Sequence, residues 1–207
     1  HEGIAAAILI DTSGSMRETV PDADGLSTPK IVIARRAAMD SLRQFEEFTR
    51  QSPDRRVLVS VYEFSARDHK GSCRTLVPMG PPDAVKALDA INSMNPSGGT
   101  PIGDAMLEAK RDLDATGMSR RHMLVITDGA NNRGYDPGDV ANAMSLLPDA
   151  ERAAIYFVAF DVSADRFNAV KEAGGLVLAA SSGSDLRQTL DFVLTGKILV
   201  EQPVEPK

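Results

Sequence analysis

The chain has 207 residues, and 43% of them are hydrophobic, so a single domain can bury a substantial core of Ala, Val, Ile, Leu and Met. Its formal net charge of -6 argues against a general nucleic-acid binder, because such proteins need a basic stripe to contact phosphates. One cysteine excludes an intrachain disulfide, and no stretch approaches the roughly 20 apolar residues of a membrane-spanning helix.

The first predicted element is a buried strand. Residues 4–10 are apolar without alternation, which is typical of a central strand covered on both faces. After a short polar loop, residues 16–28 are longer than the connection needs and predict a surface excursion. Thr28 and Pro29 then predict a helix start, with Thr28 as N-cap and Pro29 at the first helical position. Apolar residues at helical spacing extend this helix to about residue 50.

Apolar runs and amphipathic stretches alternate along the rest of the chain. This alternation favours an α/β doubly wound sheet, in which ligands bind at the carboxyl ends of the strands. Residues 1–200 are expected to form one domain, and residues 201–207, with two prolines, a linker stub. The predicted strands are 57–64, 73–77, 123–127, 154–160 and 176–180, and the predicted helices are 81–94, 102–113, 137–147, 163–173 and 185–194.

Oxygen-bearing side chains lie at three predicted junctions between a strand or loop and the next helix. Asp11, Ser13 and Ser15 alternate in the loop directly after the first strand, so they can aim at a common point. Thr100 lies in the glycine-rich loop 97–101 before a predicted helix, and Asp128 ends the strand 123–127. Carboxylates and hydroxyls are hard ligands that suit Mg²⁺ and suit zinc or copper poorly. The sequence therefore indicates a magnesium site at the strand ends.

Asp-x-Ser-x-Ser, then Thr, then Asp, each at such a junction, resembles the metal-ion-dependent adhesion site of the von Willebrand factor A family. The resemblance covers all five positions and nearly the whole chain, including Phe160-Asp161, Gly174-Gly175 and the final helix. It implies a Rossmann-like, mostly parallel sheet of six strands in the order 3-2-1-4-5-6. The third strand is then antiparallel, and helices flank the sheet.

The resemblance also implies a division of roles at the metal. Ser13 and Ser15 would ligate Mg²⁺ directly, with Mn²⁺ or Ca²⁺ as alternatives, and Asp11 and Asp128 directly or through water. Thr100 would join when a ligand is engaged, from a loop whose glycines permit movement. Because serines and waters would separate the carboxylates from the ion, its charge would not be neutralised. The ion would then stay electrophilic toward an Asp or Glu of a partner protein. The expected function is therefore non-enzymatic, metal-dependent protein binding, as in adhesion.

Three segments are expected to flank the mouth of this site: residues 17–28, 67–70 and 131–136. Arg17, Arg133 and Tyr135 are the candidate partner-binding residues, because arginine and tyrosine often anchor interfaces. A solvated loop is the simpler interpretation of the same residues. The chain starts at His1, so it is interpreted as an excised domain or processed product of a larger protein. An extracellular or cell-surface setting is favoured over a cytoplasmic one, and the resemblance suggests a bacterial source.

Three other functions fit parts of the pattern. A Mg²⁺-dependent phosphatase or phosphotransferase would use Asp11 as nucleophile and Asp128 as metal ligand. That family expects a second acid at the position of Ser13 and a lysine at a strand end, and this chain shows neither. A dinucleotide-binding domain would need Gly-x-Gly-x-x-Gly after the first strand, which is absent. A structural scaffold, in which the metal loop only stabilises the domain, is the third alternative.

Overall fold

The computed structural model describes residues 2–66 and 73–200. The segment 67–70, predicted to flank the site, and the predicted linker stub 201–207 lie outside the described residues. The domain boundary at residue 200 therefore stays a prediction.

A six-stranded sheet forms the centre of the domain, and a separate hairpin follows its first strand. The strands are β1 (Ile4–Asp11), β2 (Thr19–Pro21), β3 (Ser27–Pro29), β4 (Val57–Phe64), β5 (Cys73–Gly80), β6 (Arg120–Thr127), β7 (Ala154–Phe160) and β8 (Leu176–Ala180). The order in the central sheet is β5-β4-β1-β6-β7-β8, and β2 and β3 form the hairpin. Strand β1 pairs in parallel with β4 and β6, whereas β5 runs antiparallel to β4. When only the six strands of this sheet are counted, the order is 3-2-1-4-5-6, and β5 is the third strand. The predicted doubly wound, mostly parallel sheet, its strand order and its antiparallel third strand are therefore confirmed.

Strand β1 has no polar face because helices cover the sheet on both sides. Ile8 and Ile10 belong to the apolar cluster on one face, and Ala7 and Leu9 to the cluster on the other. None of the helices in the described part of the chain is long and apolar enough to cross a membrane. The first cluster includes residues of α1 (Lys30–Gln51), α2 (Ala84–Asn92) and α6 (Gly183–Val193), and the second includes residues of α3 (Ile102–Ala115), α4 (Pro137–Ser145) and α5 (Asn168–Glu172).

The excursion after the first loop is more ordered than the sequence suggested. Residues 19–29 form the β2–β3 hairpin, with Thr19 opposite Pro29 and Val20 opposite Thr28. The prediction of Thr28 as N-cap was wrong, because this pairing continues through Pro29 and the helix begins at Lys30. The Lys30 N–H donates to the carbonyl of Glu18 at 2.8 Å, which joins the start of α1 to the first loop.

Strand β1 lies where the order of the sheet reverses, with β4 on one side and β6 on the other. In doubly wound sheets this switch point opens a crevice at the carboxyl ends of the strands. Asp11 ends β1, Asp128 follows β6 and Asp161 follows β7, so three carboxylates stand at the same edge. The fold thereby positions the polar loops that the sequence singled out.

Candidate metal site

The Asp11 carboxylate is fully buried and fixed at both of its oxygens. Its Oδ1 accepts the backbone N–H of Ser13 at 2.7 Å, within the turn that follows β1. Its Oδ2 accepts the hydroxyl of Thr127, the last residue of the neighbouring strand β6, also at 2.7 Å. Two adjacent strand ends therefore hold this carboxylate in one orientation.

Ionising Asp11 is costly in this environment. Burial, followed by the negative charge of Asp128, raises the pKa of Asp11 to about 6, against an ordinary value of 3.8. The hydrogen bonds from Ser13 and Thr127 oppose this rise but do not cancel it. Two carboxylates that repel each other in a buried site favour a bound cation, because a cation stabilises both ionised forms.

The serine hydroxyls link the first loop to Asp128. Ser13 Oγ and Ser15 Oγ lie 3.2 Å apart, and Ser15 Oγ donates to Asp128 Oδ1 at 2.8 Å. Mg²⁺ holds six oxygens near 2.1 Å in an octahedron, so neighbouring ligands are about 3.0 Å apart. The distances from Ser13 Oγ to Ser15 Oγ and from Ser15 Oγ to Asp128 Oδ1 are therefore close to the spacing between neighbouring ligands of Mg²⁺.

The loop that carries Thr100 is attached to the first loop through the backbone. Ser97 N–H donates to the Thr12 carbonyl at 2.8 Å, and Gly14 N–H donates to the Gly98 carbonyl at 3.1 Å. Gly98 has a φ of 74°, in the left-handed region that favours glycine. At Gly98, then, glycine allows a tight turn against the first loop, and the predicted freedom of movement is limited by these bonds.

Asn132 fastens the same loop to the segment after β6. Its side-chain oxygen accepts the N–H of Thr100 at 2.8 Å, and its own N–H donates to the Thr100 carbonyl at 3.1 Å. A Cβ added at Gly99 would lie 2.7 Å from that side-chain oxygen, so the close contact requires glycine. A Cβ added at Gly129 would lie 3.9 Å from Thr100 Oγ1, which places this hydroxyl beside the Asp128 loop.

A buried lysine at the site was missed by the sequence analysis. Lys30, the first residue of α1, is 2% exposed, and its ammonium lies 3.1 Å from Asp128 Oδ2. It also pairs with Glu18 at 3.2 Å and with Asp161 at 2.9 Å. Burial alone would lower the pKa of Lys30, but the contacts with Asp161 and Asp128 outweigh it and raise the pKa above its ordinary value.

The sequence did carry a signal for this lysine. Lys30 lies four residues before Ala34 and eight before Ala38, so it extends the buried stripe of α1 by one turn. A charged residue on a buried helical stripe needs a partner of opposite charge. The phosphatase pattern places its lysine at a strand end, whereas this lysine lies at the start of a helix.

The candidate partner-binding residues lie on the surface. Arg17 is exposed at the end of the short 3-10 turn Gly14–Arg17, and Tyr135 is 66% exposed. Arg133 is exposed as well, and its guanidinium donates to the carbonyl of Asn132 at 2.9 Å. Arg133 therefore adjoins the residue that fastens the Thr100 loop, while Tyr135 is anchored through its N–H to Asp104 Oδ1 at 3.0 Å.

The predicted ligand set differs from sites rich in acidic residues. In residues 2–66 and 73–200, no three His, Cys, Asp or Glu side chains come together as a metal-holding group. The candidate site instead combines two carboxylates, Asp11 and Asp128, with hydroxyls. The structure brings Asp11, Ser13, Ser15 and Asp128 together by direct hydrogen bonds, and it places the Thr100 hydroxyl beside Gly129, the residue that follows Asp128.

Comparison with known families decides the membership of the chain. The model of the von Willebrand factor type A domain matches residues 6–131, which hold the first loop, the Thr100 loop and Asp128. The chain belongs to the von Willebrand factor type A domain family. Domains of this family generally serve protein interaction. A search of curated proteins gave no match to the sequence.

Solved structures share the fold of this von Willebrand factor type A domain. PilB, a minor pilin from Streptococcus sanguinis, is 14% identical with a TM-score of 0.72, over 95% of this chain and 61% of the pilin. A von Willebrand factor type A protein from Catenulispora acidiphila is 18% identical with a TM-score of 0.71, over 97% of this chain and 44% of that one.

Proximal thread matrix protein 1 of the mussel byssus shares the fold too, in a structure whose metal-ion-dependent adhesion site is occupied by zinc. It is 18% identical with a TM-score of 0.67, over 93% of this chain and 47% of the matrix protein. The chain thus spans 61% or less of the length of these three proteins. At such identities the likeness shows the fold alone.

Proposed function

We propose that this von Willebrand factor type A domain binds one Mg²⁺ through Asp11, Ser13, Ser15, Thr100 and Asp128, and that the ion holds an acidic side chain of a partner protein. The observation that carries the proposal is the oxygen spacing beside a buried carboxylate. Ser13, Ser15 and Asp128 offer oxygens 3.2 and 2.8 Å apart, which suits adjacent positions around Mg²⁺.

The division between hydroxyls and carboxylates leaves the ion able to accept a further ligand. Serine and threonine hydroxyls are neutral ligands, so they hold the ion without reducing its charge. Mg²⁺ keeps some of its waters in protein sites, and an incoming carboxylate can replace one of them. The free energy of binding would come from this one desolvated metal–carboxylate contact. Specificity would come from the exposed loops that carry Arg17, Arg133 and Tyr135.

The geometry supports binding over phosphoryl transfer. A nucleophilic Asp11 would need an oxygen free to attack a phosphorus atom, yet both of its oxygens accept hydrogen bonds and the residue is fully buried. Binding to Mg²⁺ through a water molecule does not require such direct access. Ser13 stands where the phosphatase pattern needs a second acid. Lys30 does bring a lysine to the site, but its ammonium is bonded to Asp128, Glu18 and Asp161.

The structural neighbours support an adhesive role outside the cell. They include a pilin, a pilus adhesin from Lactobacillus rhamnosus GG and a matrix protein of the mussel byssus. Each has a longer chain, of which this domain matches a part. By analogy, the domain would present its metal edge as one module of a larger surface or extracellular protein.

The test is selection from a random peptide display library on the immobilised domain, with binding in Mg²⁺ and elution by chelator. The proposal predicts peptides that share an Asp or Glu, and that lose binding when this residue is changed to Asn or Gln. An Asp11→Asn domain serves as the matched control and should retain none of them. Peptides that elute equally without chelator, or that need no acidic residue, would contradict the proposed function.

A further inference from the structure

The ammonium of Lys30 joins three elements at the edge of the sheet. It contacts Glu18 after the first loop, Asp128 after β6 and Asp161 after β7, each within 3.2 Å. A lysine that is 2% exposed can stay charged only where acidic partners replace its lost water. The first residue of α1 is therefore part of the electrostatics of the candidate metal site.

The three carboxylates do not depend on Lys30 equally. The side chain of Glu18 is 69% exposed and that of Asp161 is 42% exposed, so water can solvate both without the lysine. The side chain of Asp128 has no exposure, and among residues 2–66 and 73–200 the cation paired with it is Lys30. Removing Lys30 would thus leave Asp128 as a buried charge, next to the equally buried Asp11.

The two oxygens of Asp128 are divided between different partners. Oδ2 faces the Lys30 ammonium at 3.1 Å, while Oδ1 accepts the Ser15 hydroxyl at 2.8 Å. Because Ser15 holds Oδ1 independently, loss of Lys30 would change the charge at the site more than the orientation of Asp128. The lysine charge and a cation on the Oδ1 side would share one carboxylate.

We propose that Lys30 is the resident counter-ion of the metal site: it compensates Asp128 when no divalent cation is bound, and it limits the affinity for that cation. The inference rests on the proposed function, because it assigns Lys30 an effect on the same ion. Two positive charges on one carboxylate repel each other, and partial burial strengthens the repulsion. The domain would therefore remain folded without metal, and bind Mg²⁺ more weakly than its carboxylates alone would allow.

Replacing Lys30 by Met tests this with calorimetric titration of Mg²⁺ and thermal melts in chelator. We expect Mg²⁺ to bind at least fivefold more tightly than to the parent. The melting temperature in chelator should fall, and the increase on adding Mg²⁺ should exceed that of the parent. If Lys30 had a purely structural role, its replacement would leave the affinity for Mg²⁺ unchanged or lower it. Lys110→Met is the matched control, because Lys110 is also buried but pairs with Asp114 on α3.

A double-mutant comparison in chelator keeps the test independent of metal. If Lys30 compensates Asp128, then Lys30→Met combined with Asp128→Asn should be more stable than Lys30→Met alone. Should Lys30→Met fail to fold in chelator, recovery of folded protein in Mg²⁺ supports the proposal, and failure in both conditions overturns it.

The outcomes separate this inference from the proposed function. If the parent binds Mg²⁺ and Lys30→Met binds it equally or more weakly, the counter-ion role is wrong and the metal site stands. If the parent binds no Mg²⁺, the proposed function fails and the limit on affinity fails with it. In that case the comparison in chelator still decides whether Lys30 compensates Asp128.

Discussion

Replacing Asp11 with Asn is expected to stabilise the metal-free domain at neutral pH and to abolish its metal binding. The pKa of Asp11 is raised from 3.8 to about 6 by burial and by the charge of Asp128, so the ionised form reduces the free energy of unfolding. At about 1.4 kcal/mol per pKa unit, the penalty is roughly 3 kcal/mol. Asparagine carries no charge and avoids this penalty.

The contacts around Asp11 tolerate the change. The Asn oxygen can accept the Ser13 N–H in place of Oδ1, and the Asn amide then faces Thr127 Oγ1. That hydroxyl can accept from the amide, because it has the Gly129 carbonyl at 3.1 Å as another acceptor for its own hydrogen. A rearranged hydrogen bond costs about 1 kcal/mol, which leaves roughly 2 kcal/mol of net stabilisation. For a domain of this size the melting temperature should rise by about 4–8 °C.

Thermal melts in chelator from about pH 7.5 to about pH 4 provide the assay. The native state holds the Asp11 proton more tightly, so the penalty is absent below the ordinary pKa of 3.8 and complete above about 6. The advantage of Asp11→Asn should therefore shrink as the pH falls. In Mg²⁺ the parent should gain stability that the variant cannot gain. Asp22→Asn is the control, because Arg36 lowers the pKa of Asp22 and its replacement should not stabilise. An Asp11→Asn domain that is less stable in chelator at neutral pH would refute this reasoning.

Three further predictions concern the loops and the reaction class. Thr100→Val should leave the melting temperature nearly unchanged and lower the affinity for Mg²⁺ modestly. It should reduce capture of a selected acidic peptide about tenfold or more, which is at least about 1.4 kcal/mol. Equal capture by the variant and the parent would contradict a role for this hydroxyl. Gly99→Ala should also reduce peptide capture, because its Cβ would lie 2.7 Å from the Asn132 oxygen that holds Thr100, whereas Gly80→Ala, with its nearest atom at 3.8 Å, should not. Mass spectrometry after incubation with acetyl phosphate should show no adduct on Asp11, and a stoichiometric adduct lost in Asp11→Asn would favour the phosphatase alternative.

The fold was predictable because its signals are local. The run of residues 4–10 has no polar position, which indicates a strand covered on both faces. The hairpin of β2 and β3 was not predictable in the same way. Its strands have three residues each, so they carry no periodicity, and Pro29 suggested a helix start when it in fact ends a strand.

The same difference between local and long-range signals decided which residues of the candidate metal site were predictable. Asp11, Ser13 and Ser15 share one loop, so their spacing alone indicated a common target. Lys30 could not be assigned to that target, because its partner Asp128 is 98 residues away and only the packing of α1 against the sheet brings them together. Asn132 was missed for a similar reason. Its side-chain oxygen accepts a backbone N–H 32 residues earlier in the chain. In the sequence, an asparagine after a strand usually indicates only an ordinary turn.

Calorimetric titration of Mg²⁺ and Mn²⁺ into chelator-treated, folded protein tests the central claim most directly. The ligand set of two carboxylates and three hydroxyls predicts one ion per domain, with either metal able to displace the other. Asp11→Asn, measured alongside, should show no binding while remaining folded. Absence of heat with both ions in the folded parent, or unchanged binding in Asp11→Asn, would contradict the assignment of this edge as a metal site.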